Sequence, residues 1–260
     1  MTLHQTQSGV AVLLLALLTG CSSGSNMQEE STSTIQREKS TQTDATVERS
    51  TQDAAESERL GTKWGDDVNS EVTTVDLRRT SSEPIEQMQV RYADKAYNGR
   101  AVNSMSLLAG KVDFSMETDT GALSLYRDSG NYYVQGQAGQ AYRLVYHNNS
   151  DNTYEIVASV DGINVLNVLN GSAASRYDSG YVLNPHDNLV IEGFRKSQSS
   201  VASFIFSKPE SAYAANTSSG SINNTGVIGT AVYGLYDPSK PKLQQPQAYP
   251  ADNGYAKPPQ

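Results

Sequence analysis

The chain has 260 residues, of which 28 are acidic and 20 basic, giving a net charge of -8; 37% are hydrophobic and 18% charged. That length can bury a sizeable core in one large or two small domains, while the low apolar content leaves part of the chain unpacked. The negative field argues against nucleic acid as a partner, and a single cysteine rules out an intrachain disulfide, a zinc cluster or a redox pair.

Within the first 20 residues lies an apolar run, Val10-Ala-Val-Leu-Leu-Leu-Ala-Leu-Leu18, far shorter than the roughly 20 residues needed to span a bilayer. It ends in Leu18-Thr19-Gly20-Cys21, which resembles the lipobox of bacterial lipoprotein precursors. The resemblance implies a signal peptide over 1–20, cleavage before Cys21, and fatty acylation of the Cys21 sulfur. Ser22, rather than Asp, follows the cysteine, which by the same resemblance implies transfer to the outer membrane. The segment before the run holds His4 but no Lys or Arg, a departure from the positive charge usual in export signals. An ordinary cleaved signal, or a buried helix with an incidental cysteine, remain as alternatives. Two or three acyl chains would hold the protein at a lipid surface, each buried methylene contributing about 0.8 kcal/mol.

Residues 21–58 are rich in Ser, Thr, Gln and Glu, with few aliphatic side chains beyond Met27, Ile35 and Val47. Such a segment cannot bury enough apolar surface to offset the entropy of ordering, so it is expected to be a disordered tether. As a flexible coil it would span on the order of 35 Å.

Residues 59–236 show the period of strands. An N-terminal β extension is expected over 59–135, with strands at 71–78, 85–92, 123–126 and 132–135. The last two straddle a turn at Asp128-Ser129-Gly130. A β-sandwich module is expected over 136–236. Its clearest unit places Tyr142, Leu144 and Tyr146 on one face of a strand, then a turn cluster at 148–152, then Tyr154, Ile156, Ala158 and Val160 in alternation. Asp161-Gly162 supplies the two-residue turn of a tight hairpin leading through Ile163 and Val165. Further strands are expected at 180–183, 188–192, 201–207 and 225–233, with a turn at Asn184-Pro185-His186-Asp187. Short helices are expected only at 93–101 or 211–215. The fold class is therefore mainly β, an antiparallel β-sandwich. From 237 to 260, six prolines among Gln and Lys indicate a Pro- and Gln-rich disordered tail, with Tyr249 and Tyr255 as docking points for a partner if it has one.

The stretches Ser159-Val-Asp-Gly-Ile-Asn-Val165, Gly180-Tyr-Val-Leu-Asn-Pro185, Ile191-Glu-Gly-Phe-Arg-Lys-Ser197, Val201-Ala-Ser-Phe-Ile-Phe-Ser207 and Gly226-Val-Ile-Gly-Thr-Ala-Val232 resemble a module of uncharacterised exported proteobacterial proteins. The resemblance covers about 136–236 and implies an extracytoplasmic module without assigning an activity.

Chemistry-bearing residues are sparse. No catalytic, cofactor-binding or metal-ligating residue is singled out; Cys21, for lipidation, is the one site residue. His147 and His186 follow no metal-ligand spacing and are expected to be solvated. Asp119-Thr-Gly121 and Asn148-Asn-Ser-Asp151 are oxygen-rich, yet lack the ligand order of a calcium loop. Trp64 is expected to plug the core, and Arg195-Lys196 to lie on a solvated hairpin. Fifteen tyrosines against four phenylalanines suit a binding surface, although sandwich rims explain them equally well. The expectation is a noncatalytic envelope module, held to the membrane by its lipid anchor, that binds an envelope protein or a glycan. The alternatives are a cell-wall polysaccharide enzyme or accessory subunit, and a structural spacer.

Overall fold

A computed structural model describes residues 57–166 and 173–238. Cys21, the expected signal and most of the expected tether and tail lie outside the described residues. Within them the fold is mainly β, with two packed sheets, as expected from the alternating pattern.

The first sheet is built on β1 (Gly61–Asn69), β15 (Ser200–Ser207), β9 (Ala141–Asn148), β5 (Val112–Thr118) and β4 (Met105–Leu107), in that order. Three short strands join it: β6 (Gly121–Ala122) on β5, β13 (Asn188–Ile191) on β9, and β14 (Gly193–Arg195) on β15. The second sheet runs β11 (Ile163–Asn164), β10 (Tyr154–Val160), β16 (Val227–Gly234), β2 (Glu86–Ala93), β8 (Asn131–Gln135), β7 (Leu125–Asp128) and β3 (Arg100–Val102), with β12 (Tyr181–Leu183) also on β10. Each sheet contains strands from both 59–135 and 136–236, so the two stretches share one core.

Pairing is antiparallel except between β2 and β8, which run parallel. A parallel pair needs a long crossover. Here residues 94–130 provide it, passing through β3, the first sheet's β4 to β6, and β7 before returning. In β5 the side chains of Val112, Phe114 and Met116 are fully buried, while Asp113, Ser115 and Glu117 between them are partly exposed. The same alternation buries Tyr142, Leu144 and Tyr146 in β9. This period of two is what commits each segment to one sheet face.

Two expected elements are corrected. Residues 71–78 form no strand: Val72, Val75 and Leu77 do not keep a period of two, and Val75 and Leu77 are exposed. The segment is held instead by single contacts, among them Val72 N–H to Gln198 O at 2.8 Å. Neither 93–101 nor 211–215 is an α-helix; the first ends in β3, and the second lies in short 3-10 turns at Pro209–Ser211 and Tyr213–Asn216. The hairpin at Asp161-Gly162 forms as expected, with φ of 54° and 77° at the two turn residues and Val160 opposite Ile163. Its returning strand β11 is only two residues long. Farther on, Gly193 has no alternative, since a Cβ there would lie 1.9 Å from the Ala202 carbonyl oxygen.

Asp161 does more than turn the chain. Its carboxylate is buried, and four groups donate to it: Thr62 N–H at 2.7 Å, Tyr92 O–H at 2.6 Å, Gly226 N–H at 2.9 Å and Val227 N–H at 3.4 Å. Because the Tyr92 proton goes to Asp161, the Thr62 hydroxyl donates to the Tyr92 oxygen at 2.7 Å, and Tyr142 O–H donates to Thr62 Oγ1 at 2.7 Å. One chain of hydrogen bonds thus links β1, β2, β9, the turn after β10 and the start of β16. A second contact between the sheets joins Tyr146 O–H and Thr230 Oγ1 at 2.6 Å. No buried side-chain nitrogen or oxygen is left without a partner among the described residues. Burial pushes the phenols of Tyr92 and Tyr142 well above the usual range, so both stay protonated donors.

Burial also pushes the Asp161 carboxyl up from 3.8 to about 6, outweighing the hydrogen bonds that pull it down. Folding therefore favours the protonated acid. That stabilising contribution is fully present below the unfolded value of 3.8 and is lost as pH rises through 6. The interval corresponds to about 3 kcal/mol. Asp161→Asn cannot ionise, so the stability of the native chain relative to this variant, measured by urea unfolding, should fall by about 3 kcal/mol between about pH 3.5 and pH 7. A difference that stays flat with pH would show that the donated hydrogen bonds cancel the cost of burying the charge.

Candidate functional site: the outer face of the second sheet

The residues with chemical potential in the sequence are dispersed. His147 Nδ1 meets Asn188 Oδ1 at 2.8 Å across the β9–β13 pair, and His186 Nε2 meets Asp151 Oδ1 at 2.8 Å in a loop. The oxygen-rich cluster at 148–151 spends its polar groups on its own turn and on the neighbouring segments at Gly110, Asp113, Asn184 and His186. Asn148 donates through Nδ2 to the Asn152 and Asn184 carbonyls and accepts at Oδ1 from Ser150. Asp119 lies 3.5 Å from Arg143, which also pairs with Glu117. Among the described residues, no group of three or more His, Cys, Asp or Glu side chains is placed to hold a metal ion.

Trp64 does plug the core edge, tilted against Tyr213 at 4.8 Å and stacked on Phe194 at 6.2 Å. Arg195 departs from expectation. It is buried rather than solvated, donating to the Tyr181 hydroxyl at 3.1 Å and to Ser70 Oγ at 2.9 Å, while Lys196 beside it pairs with Asp67 at 2.5 Å. A lone guanidinium among apolar strands is tolerated because nearby carbonyl and hydroxyl oxygens take its protons.

The second sheet's outward residues make the most developed surface. Strand register places Val157, Ala231 and Gln87 in one row, Ser159, Gly229 and Gln89 in the next, and Val227, Arg91, Tyr133 and Tyr126 in a third. Small side chains on β10 and β16 leave a groove of about 380 Å³, walled on one side by Ala174, Ser175 and Arg176. Where β8 and β7 follow, the floor becomes aromatic. Tyr97, from the connection after β2, stacks on Tyr133 at 5.0 Å and lies 6.1 Å from Tyr126. All three rings are half-buried. Burial raises the Tyr97 phenol, with Tyr133 adding to the rise and nearby Arg91 opposing it. Arg91 itself is exposed.

A clamp holds the groove wall. Glu155, outward on β10, accepts from Arg79 Nε at 2.7 Å and Nη2 at 3.0 Å, and from Gly180 N–H at 2.7 Å. Arg79 also donates to the Asp178 carbonyl and lies 3.7 Å over the centre of the Tyr233 ring. Hydrogen bonding to Glu155 raises the Arg79 pKa. Further along the wall, Arg176 pairs with Glu83 at 3.0 Å and Asp178 accepts from Asn164 Nδ2 at 3.1 Å and Ser175 N–H at 2.9 Å. Carboxylates bordering the groove are thus engaged in ion pairs or hydrogen bonds, an arrangement suited to holding a shape rather than to moving protons.

Sequence reasoning names none of Arg91, Tyr97, Tyr126 or Tyr133 as site residues. The tyrosine excess is the one signal pointing toward them, and the alternation of 86–93 turns Arg91 away from buried Tyr92. No family model, curated protein or solved structure matches the chain.

Replacing Glu155 with Gln keeps the size but removes the charge that holds Arg79 and the Gly180 amide. Local opening of the wall should become easier by about 2 kcal/mol, so amide exchange at Gly180 should quicken by at least about tenfold while that of the core strand β9 changes less. Equal acceleration across both elements would mean that the clamp supports the whole fold rather than the wall.

Proposed function

We propose that the protein is a membrane-anchored envelope lipoprotein, acylated at Cys21, whose β-sandwich is a noncatalytic binding module facing its partner with the outer side of the second sheet. The single observation that carries the binding half is the combination on that face of a groove, half-exposed tyrosines and an exposed arginine, while neighbouring carboxylates are engaged in ion pairs and hydrogen bonds. Tyrosine offers amphipathic contact area at low entropic cost, which is why binding surfaces use it. What supports the anchor is the placement of Leu18-Thr-Gly-Cys21 directly after an apolar run, with no other cysteine in the chain.

Two measurements test the two halves. Cells fed an alkyne-tagged palmitate should label the native chain and not Cys21→Ser, and the variant should move from the membrane to the soluble envelope fraction. Equal partitioning of both forms would remove the anchor. A photo-crosslinking side chain at Gln89, on the proposed face, should give a discrete adduct in intact cells, whereas one at Val190, exposed on the other sheet, should not. If both positions give the same adducts, or neither gives any, the binding module falls and a spacer role takes its place.

A further inference from the structure

We infer that the occupant of this face is an acidic glycan, a chain of sugars bearing carboxylate groups, an assignment that rests on the binding-module reading and adds its ligand. A sugar ring offers two kinds of surface: a C–H face that packs on an aromatic ring, and a rim of hydroxyls that exchange hydrogen bonds with amides. Both are answered here. Tyr97, Tyr126 and Tyr133 form a half-exposed aromatic cluster, and Gln87 and Gln89 extend the same face with side-chain amides. Beyond Tyr126 a second hollow, of about 400 Å³, is lined by Gln135, Gln137 and Gln140. From β10 to β7 the face crosses four strand spacings, about 19 Å, a length that accepts a short oligosaccharide.

Charge selects the acidic class. Arg91 stands between the amides and the tyrosines, two residues from Gln89 on β2 and opposite Tyr133 in register. It is exposed and makes no ion pair with any described residue. A guanidinium fork matches a carboxylate in a two-bond contact, and in a chain of net charge -8 an uncommitted arginine beside stacked rings is a local attraction against the general field. That field disfavours nucleic acid, whose charge density is high and continuous. A protein partner would use the same tyrosines and arginine but would add a larger apolar centre, whereas this face carries side-chain amides beside its rings. Of the exposed large hydrophobics, Val190 lies on the other sheet, while Ile85, two residues before Gln87, borders this face. Asp94 also lines the second hollow, so the carboxylate that decides binding belongs at the Arg91 side.

The test uses the full mature chain carrying Cys21→Ser, titrated calorimetrically with hexamers of galacturonate, alginate and hyaluronan, and with neutral cellohexaose. At least one acidic hexamer should bind at least about tenfold more tightly than cellohexaose, and raising the salt from about 0.05 to 0.5 M should weaken it several-fold. Arg91→Gln, an exposed change that leaves the core alone, should cost about tenfold in affinity for the acidic hexamer, and Tyr133→Ala at least as much with circular dichroism unchanged. Val190→Ser should have no effect. Failure of all three acidic hexamers to bind, or binding that is indifferent to Arg91→Gln, overturns the inference. If that happens while the Gln89 crosslink still yields a protein adduct, the binding module stands with a different occupant; if the crosslink also fails, both fall together.

Discussion

A carboxylate placed between two sheets must be solvated by the protein itself, and the way Asp161 is solvated ties the fold together. Its donors come from β1, β2 and the start of β16, and Thr62 passes the connection on to Tyr142 of β9. Each of these strands lies far from the others in sequence; Thr62 and Asp161 are 99 positions apart. Without this centre the two sheets would still share an apolar core, but nothing polar would specify how β1 and β2 align against the hairpin that begins at Asp161. Apolar burial is non-directional, whereas a carboxylate with defined lone pairs accepts its donors in one arrangement.

The tyrosines divide along the same physical line. Tyr92, Tyr142 and Tyr146 are buried and place their hydroxyls on Thr62, Asp161 or Thr230, turning a bulky side chain into a polar strut inside the core. Tyr97, Tyr126 and Tyr133 face outward and are half-exposed, stacked on one another beside an exposed arginine. The same residue type therefore braces the core on one side of the second sheet and lies half-exposed on the other. The wall over the neighbouring groove is held by a third device, the Arg79–Glu155 pair with Gly180, which fixes the segment after the described part of the hairpin.

Much of the fold was legible in local pattern. The alternation in 141–147 and 154–160, the turn at Asp161-Gly162 and the hairpin around Asp128-Ser129-Gly130 all follow from a period of two broken by residues that accept positive φ. The alternation over 112–118 is equally regular, yet β5 is not among the expected strands, and neither is β1, because Ser, Asp, Glu and Gly within them also suit turns. Residues 71–78 show the opposite case: β-prone side chains whose spacing does not hold to one face, and which pair only at isolated points. The candidate site was far less legible, because Arg91, Tyr97, Tyr126 and Tyr133 sit on separate elements and nothing in their local sequence announces that they meet.

What the order of residues determined by itself was the β class, most strands of the second half, the position of the tight turns, the sign of the net charge and the absence of an intrachain disulfide, since each of these depends on neighbours within a few positions or on composition alone. Tertiary structure alone decided the parallel pairing of β2 with β8, the burial of Arg195, the ionisation of Asp161 and the gathering of tyrosines around Arg91. These depend on contacts between segments tens of residues apart, where hydrogen-bond geometry and desolvation, rather than local propensity, choose among the arrangements that the same alternating strands would permit.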